Sequence, residues 1–250
     1  MFVMSTNLSL VIPVFNEEKR LNKLFLALDD YISKPIIPLR EIIFVDDGST
    51  DGTKQSILDF QKKCLVEVVV VSYTPNQGKG NAVREGMLRA QGDYVLMFDA
   101  DVSTPLGELS KFVGYLNEGV PILIGSRKLS GAKVVKSQKW LRQKMGEAYA
   151  VLARLVTGLK VQDFGCGFKI FSKESARVIF SSLVNKGWIF DTEALYLAKK
   201  NGILFKEIGI DWSNDEESKV KVLSGTISSI FGLLYIRLCH SKLWRNFFRK

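Results

Sequence analysis

Tyr94-Val95-Leu96-Met97-Phe98, followed at once by Asp99-Ala100-Asp101, is the stretch from which the fold is read. Five apolar residues of strand length end on two carboxylates around a small residue. A run with no polar alternation is the mark of a strand covered on both faces, as in a parallel sheet. The same grammar recurs upstream. Leu8 to Val14 (LSLVIPV) is an apolar run, Glu41 to Val45 (EIIFV) ends at Asp46-Asp47-Gly48, and Val66 to Ser72 is a third strand. Helical spacing fills the gaps, over Glu17 to Ile32, Thr53 to Lys63 and Gly80 to Ala90. Repeated strand–loop–helix units predict a parallel sheet flanked by helices. Such sheets bind ligands beyond the carboxyl ends of their strands. Asn16-Glu17, Asp46-Asp47, Asn76 to Asn81 and Asp99-Ala100-Asp101 all follow strands, so they are expected to converge on one edge.

Asp99 and Asp101 cannot both be buried in ionised form without a cation. Mg²⁺ or Mn²⁺, held by one or two carboxylates and completed by diphosphate oxygens, meets that need. Asp47, with Asp46 beside it, suits a base N–H or a ribose hydroxyl. Lys79, in Asn76-Gln77-Gly78-Lys79-Gly80-Asn81, could meet a diphosphate, although a purely structural start to a helix reads nearly as well. That loop lacks the GxxxxGK[ST] spacing, which disfavours a nucleoside triphosphatase. His240 is the one histidine and has no obvious partner in sequence. Histidine-based hydrolase triads and histidine-ligated zinc are thereby set aside.

The formal charge is +9, and two segments carry it. Val120 to Gly146 and Ser218 to Lys250 each hold seven Lys or Arg and no acid; elsewhere 21 bases face 26 acids. An anionic partner is implied. Nucleic acid is rejected, because strand-end carboxylates would repel phosphates unless metal-bound. Three scattered cysteines fit a reducing compartment better than a disulfide scaffold.

Past Pro105 the alternation loosens. Strands are expected at Ile122 to Ile124, Phe168 to Phe171 and Leu204 to Ile210. Helices are expected at Lys136 to Leu159, Glu174 to Phe180 and Thr192 to Asn201. Val222 to Leu238 is too short and polar to span a bilayer comfortably, but Leu223, Ile227, Ile230, Leu234 and Leu238 share one stripe. Cations and Trp244, Phe247 and Phe248 follow, a pattern suited to a helix lying in a membrane surface.

In fixed order, LSLVIPVFNEE, FVDDGSTDGT, NQGKGNAVREGMLRAQGDYVLMFDAD, GSR and DFGCGFKIF resemble the family 2 glycosyltransferases. The resemblance runs from Leu8 to about Leu238. The segments CGFKIF, FSSL, WIFDTEALYLA and LLYIRL are similar to the dolichyl-phosphate β-glucosyltransferase branch of the polyprenyl-phosphate enzymes. The mannosyl branch usually has Gln where this chain has Ser103.

The resemblance implies a single α/β GT-A domain over 1–218, with a Rossmann-like, mostly parallel sheet, and a basic amphipathic tail over 219–250. It implies inverting transfer of a hexose, glucose from UDP-glucose above GDP-mannose, onto a polyprenyl (dolichyl-type) phosphate. A saccharide acceptor is the wider alternative. Pro13, Phe15, Glu17 and Asp47 would hold the nucleoside. Asp99 and Asp101, around Ala100, would hold the metal and diphosphate, with Ser103 near the metal. Arg127 and Arg142 would serve the donor diphosphate and acceptor phosphate, aided by Lys169 and Lys219. Asp191 and Glu193 would form an acidic pair on the acceptor side; plain helix-start acids are the alternative reading. Relatives' N-terminal or C-terminal membrane spans are not seen here, so the expected location is cytoplasmic, peripheral on the cytosolic face of a membrane.

Overall fold

A computed structural model describes residues 6–136, 140–214 and 222–241, with 136, 141, 142 and 222–230 described by backbone alone. Nine strands, eight α-helices and one 3₁₀ helix, Leu106–Lys111, are found among them. In chain order they are β1 (Leu8–Val14), α1 (Glu18–Ser33), β2 (Leu39–Asp46), α2 (Thr53–Gln61), β3 (Val68–Ser72), α3 (Lys79–Arg89), β4 (Tyr94–Met97), α4 (Val113–Asn117) and β5 (Ile122–Ser126). Then follow β6 (Val134–Lys136), α5 (Trp140–Thr157), β7 (Lys169–Ser172), α6 (Lys173–Ser181), α7 (Phe190–Lys200), β8 (Phe205–Gly209), β9 (Trp212–Ser213) and α8 (Val222–Cys239). The main sheet has seven strands in the order β3-β2-β1-β4-β7-β5-β8. Only β7 runs against its neighbours β4 and β5. This is the expected mostly parallel, helix-flanked α/β architecture.

Strand period two divides the core between two faces. Leu10, Ile12, Ile42 and Phe44 face a layer that includes Leu21, Leu24 and Leu28 of α1. Phe25 stacks on Phe60 at 4.3 Å there, and Phe44 meets each edge-on at 6.2 Å. Val11, Ile43 and Val45 face the opposite layer, with Val83 and Met87 of α3 and Ala194 and Leu195 of α7. Both faces are covered, which is why the strands read as continuous apolar runs.

Two expectations change. Lys136 ends a strand instead of starting a helix, because β6 pairs in parallel with β9, which lies far along the chain. The expected domain boundary, Lys219 and the aromatic tail lie outside the described residues. Helix α8 packs on α5 and α7 through buried Leu233 and Ile236. No helix among the described residues is long and apolar enough to cross a membrane.

Candidate active site

The reversed strand β7 assembles the site. Its register sets Lys169 beside Met97 of β4 and Ile124 of β5. Because β7 is antiparallel, its first residue and the Asp163–Phe168 segment leading into it lie at the carboxyl ends of its neighbours. Asp99, just past β4, and Arg127, just past β5, lie at the same edge. A cleft here is lined by Phe98, Asp99, Asp101, Ser103, Thr104, Gly167, Phe168 and Trp212.

Asp99 takes a 2.6 Å ion pair from Lys79, the first residue of α3. Burial works to raise the Asp99 pKa, but Lys79, Lys169 and Arg127 together hold it below the usual carboxylate range. Asp101 goes the other way. Burial and then the charge of Asp99 raise it, against a 2.9 Å hydrogen bond donated by the Ser103 amide. Gly167 lies so close to the Asp99 carboxylate that any Cβ there would overlap it.

Arg127 makes a fork with Asp163, Nε to Oδ2 and Nη2 to Oδ1, both at 2.7 Å. Its guanidinium lies 5.1 Å from the centre of the Trp212 ring. Burial opposes the charge of Arg127, but Asp163 raises its pKa further. Lys169 is wholly buried and donates to the carbonyls of Phe164 at 2.9 Å and Cys166 at 2.5 Å, and to Asp191 Oδ1 at 2.5 Å. An ammonium has three hydrogens, so Lys169 has none left for an acceptor phosphate. Its structural job is to pin Asp191 and the turn before β7. Burial raises Asp191 despite Lys169. It also pushes the neighbouring Cys166 thiol up to about 12, which leaves no thiolate nucleophile near neutral pH.

The remaining expected residues divide. Pro13 lies in β1, with Phe15 and Glu17 in the loop that follows; Phe15 is 39% exposed. Asn16 stitches that loop to the next one, its Oδ1 accepting from the Thr50 amide at 2.8 Å. Asp46 and Asp47 are buried and serve their own loops. Asp46 accepts from the Ser49 amide and the Ser72 hydroxyl. Asp47 accepts from Asn76 Nδ2 at 2.8 Å and from the amides of Gln77 at 2.7 Å and Gly78 at 2.8 Å. These bonds hold the turn that presents Lys79. Ala100 is buried. Arg142 lies in the first turn of α5.

Glu193, expected beside Asp191 in an acidic pair, has partners of its own. It is wholly buried and turned to the amides of Val184 and Asn185 and to His240, so the lone histidine has a partner after all. Asp163 and Trp212 escaped the sequence reading. The signal for Asp163 is an acid opening DFGCGF just ahead of a strand.

Asp99 and Asp101 fit a divalent cation of the Mg²⁺ or Mn²⁺ class. They are hard oxygen donors, and the charge of one disfavours ionisation of the other. Among the described residues no group of three or more His, Cys, Asp or Glu could hold a metal alone. A cation here would therefore complete its shell with ligand oxygens.

Asp163→Asn strips Arg127 of its carboxylate, and the expected loss is about 3 kcal/mol in urea unfolding at pH 7. Burial raises Asp163 but Arg127 lowers it more, so its native pKa is depressed. Its contribution is complete above the unfolded value of about 4 and fades as pH falls through the native value. The variant should lack that acid-side loss. A change below about 0.5 kcal/mol, the scale of an exposed pair, would contradict the assignment.

Comparison with known proteins agrees with this geometry. The pattern for glycosyl transferase family 2 matches residues 9–180. Dolichyl-phosphate beta-glucosyltransferase of Homo sapiens is 33% identical over 95% of this chain and 77% of its own length. The protein of the same name from Dictyostelium discoideum is 31% identical over 92% of this chain and 73% of its own length. Glucosyl-3-phosphoglycerate synthase of Mycobacterium tuberculosis, solved with Mn²⁺, UDP and glucosyl-3-phosphoglycerate, superposes with a TM-score of 0.67. At 20% identity, over 93% of this chain and 80% of that one, it shares the fold. The family pattern over residues 9–180, and relatives above 30% identity that match more than nine-tenths of this chain, make it a glycosyltransferase, a member of glycosyl transferase family 2.

Proposed function

We propose that the chain transfers glucose from UDP-glucose to the phosphate of a polyprenyl lipid, inverting the anomeric carbon. The observation that carries it is Asp99, set between Lys79 and the charge-stressed Asp101 at the end of β4. The names of the relatives point the same way. In the reaction a phosphate oxygen of the lipid forms a bond to C1 of the sugar as the C1–oxygen bond to UDP breaks. The lipid phosphate is already anionic at neutral pH, so little general base is needed. The harder task is to hold two anionic phosphates together.

Pro13, Phe15 and Glu17 line the nucleoside side, while Asp46 and Asp47 build the loops around it. Lys79 passes from Asp99 to the donor diphosphate. Asp99 and Asp101, on either side of Ala100, would hold the divalent cation, with the Ser103 amide steadying Asp101. A bound cation of this class neutralises charge building on the departing diphosphate. Arg127, oriented by Asp163 and Trp212, faces the same charge. Asp191, pinned by Lys169, orients the acceptor side, where Arg142 and Lys219 meet the lipid phosphate.

The domain spans 1–218, and the tail, 219–250, seats it on a membrane at the cytosolic face. The outer face of α8 supports that reading: Phe231, Leu234, Tyr235 and Leu238 are all exposed, as are Val151 and Leu155 on adjoining α5. Exposed apolar side chains on neighbouring helices suit a lipid surface.

With Mn²⁺, polyprenyl phosphate and labelled UDP-glucose, label should pass into the lipid phase, and chelation should stop it. Asp101→Asn should lower the rate at least about 100-fold. Full activity in that variant, or transfer only from GDP-mannose, would contradict the proposal. In liposome flotation, Leu234→Glu with Leu238→Glu should reduce the bound fraction several-fold. Equal flotation would contradict the membrane face.

A further inference from the structure

The turn that presents Lys79 is braced from outside the donor site. The Gly80 amide donates to the Lys186 carbonyl at 2.8 Å. Gly78, at φ 100°, and Gly80 lie against the carbonyls of Lys186 and Asn185, with no room for a Cβ at either. The two glycines thus serve close approach to a neighbouring loop of this chain. Lys79 itself lies 5.4 Å from the centre of the Trp188 ring at the far end of that loop.

The 184–188 loop is in turn fixed by one buried carboxylate. Glu193 Oε1 accepts from the Val184 amide at 2.9 Å, and Oε2 from the Asn185 amide at 2.8 Å. His240 Nε2, at the end of α8, meets Glu193 Oε1 at 2.7 Å. A carboxylate accepts, so the imidazole donates from Nε2. Both side chains are buried, where a hydrogen bond to a charged group is worth most. Helix α8 touches the same region a second time, since Gly232 lies so close to Ile189 that a Cβ would overlap it.

We propose that His240 is a positioning residue: through Glu193 it fixes the 184–188 loop, and that loop fixes the turn that aims Lys79 at Asp99. The C-terminal helix is thereby part of the donor site's framework, although none of its described side chains lines the cleft. The kinetic consequence rests on the reading of Lys79 as a ligand of the donor diphosphate.

The test compares full-length wild type, His240→Phe and His240→Gln. Phe keeps the ring volume beside Tyr196 and removes the donor; Gln restores an N–H near the Nε2 position. In His240→Phe, amide exchange at 184–188 and 77–80 should rise about tenfold, the scale of one charged hydrogen bond, while β1 and β2 stay protected. KM for UDP-glucose should rise about tenfold by the same measure, with KM for the lipid phosphate unchanged. His240→Gln should recover most of both. Faster exchange confined to α8, or a uniform rise that includes β1 and β2, would overturn the proposal. Should wild type transfer no sugar, the donor reading falls, and the exchange pattern alone still decides the clamp.

Discussion

Asp99 and Asp101 project from the end of a buried strand, and their charges must be balanced for this edge of the sheet to exist. The chain answers with Lys79 on Asp99, the Ser103 amide on Asp101, and Lys169 and Arg127 close behind. Asp163 and Asp191 join the same cluster, and Lys23 donates to the Asp101 carbonyl at 2.9 Å, so four carboxylates and four cations meet at this edge. Among these carboxylates Asp101 is the one whose pKa burial and the charge of Asp99 raise, which suits it to a divalent cation and its phosphate oxygens. Other parts of the site serve the same pair. Gly167 gives the Asp99 carboxylate room, and Asp47 fixes the turn that delivers Lys79.

The sheet was legible because both-face burial writes itself into strands such as LSLVIPV and YVLMF as unbroken apolar runs. The converging strand ends followed from the parallel topology. Partner choice was not legible. Asp47 shows its carboxylate in the sequence, but not that three donors of its own chain occupy it. Lys169 reads as a free cation until β7 turns against its neighbours and buries it between Asp191 and two carbonyls. Val134–Lys136 becomes a strand only because Trp212–Ser213 lies alongside, a pairing that no local pattern announces.

Both halves of the chain are tied by side chains far apart in sequence: Ser9 to Glu41 and to the Gly92 amide in the first, and Arg127 to Asp163, Lys169 to Asp191, and Glu193 to His240, 47 residues away, in the second. Helix α8 joins the two requirements of the proposed reaction. Its inner face touches the loop behind Lys79, and its outer face offers apolar side chains.

The central claim is that the Asp99–Asp101 edge is completed by a divalent cation shared with a nucleotide diphosphate. Calorimetric titration of UDP into the full-length protein, with and without Mn²⁺, tests it most directly. The account predicts UDP binding at least about 100-fold tighter with Mn²⁺, a gain of roughly 2.7 kcal/mol, and no such gain in Asp99→Asn. Equal UDP affinity in the presence and absence of Mn²⁺ would contradict it.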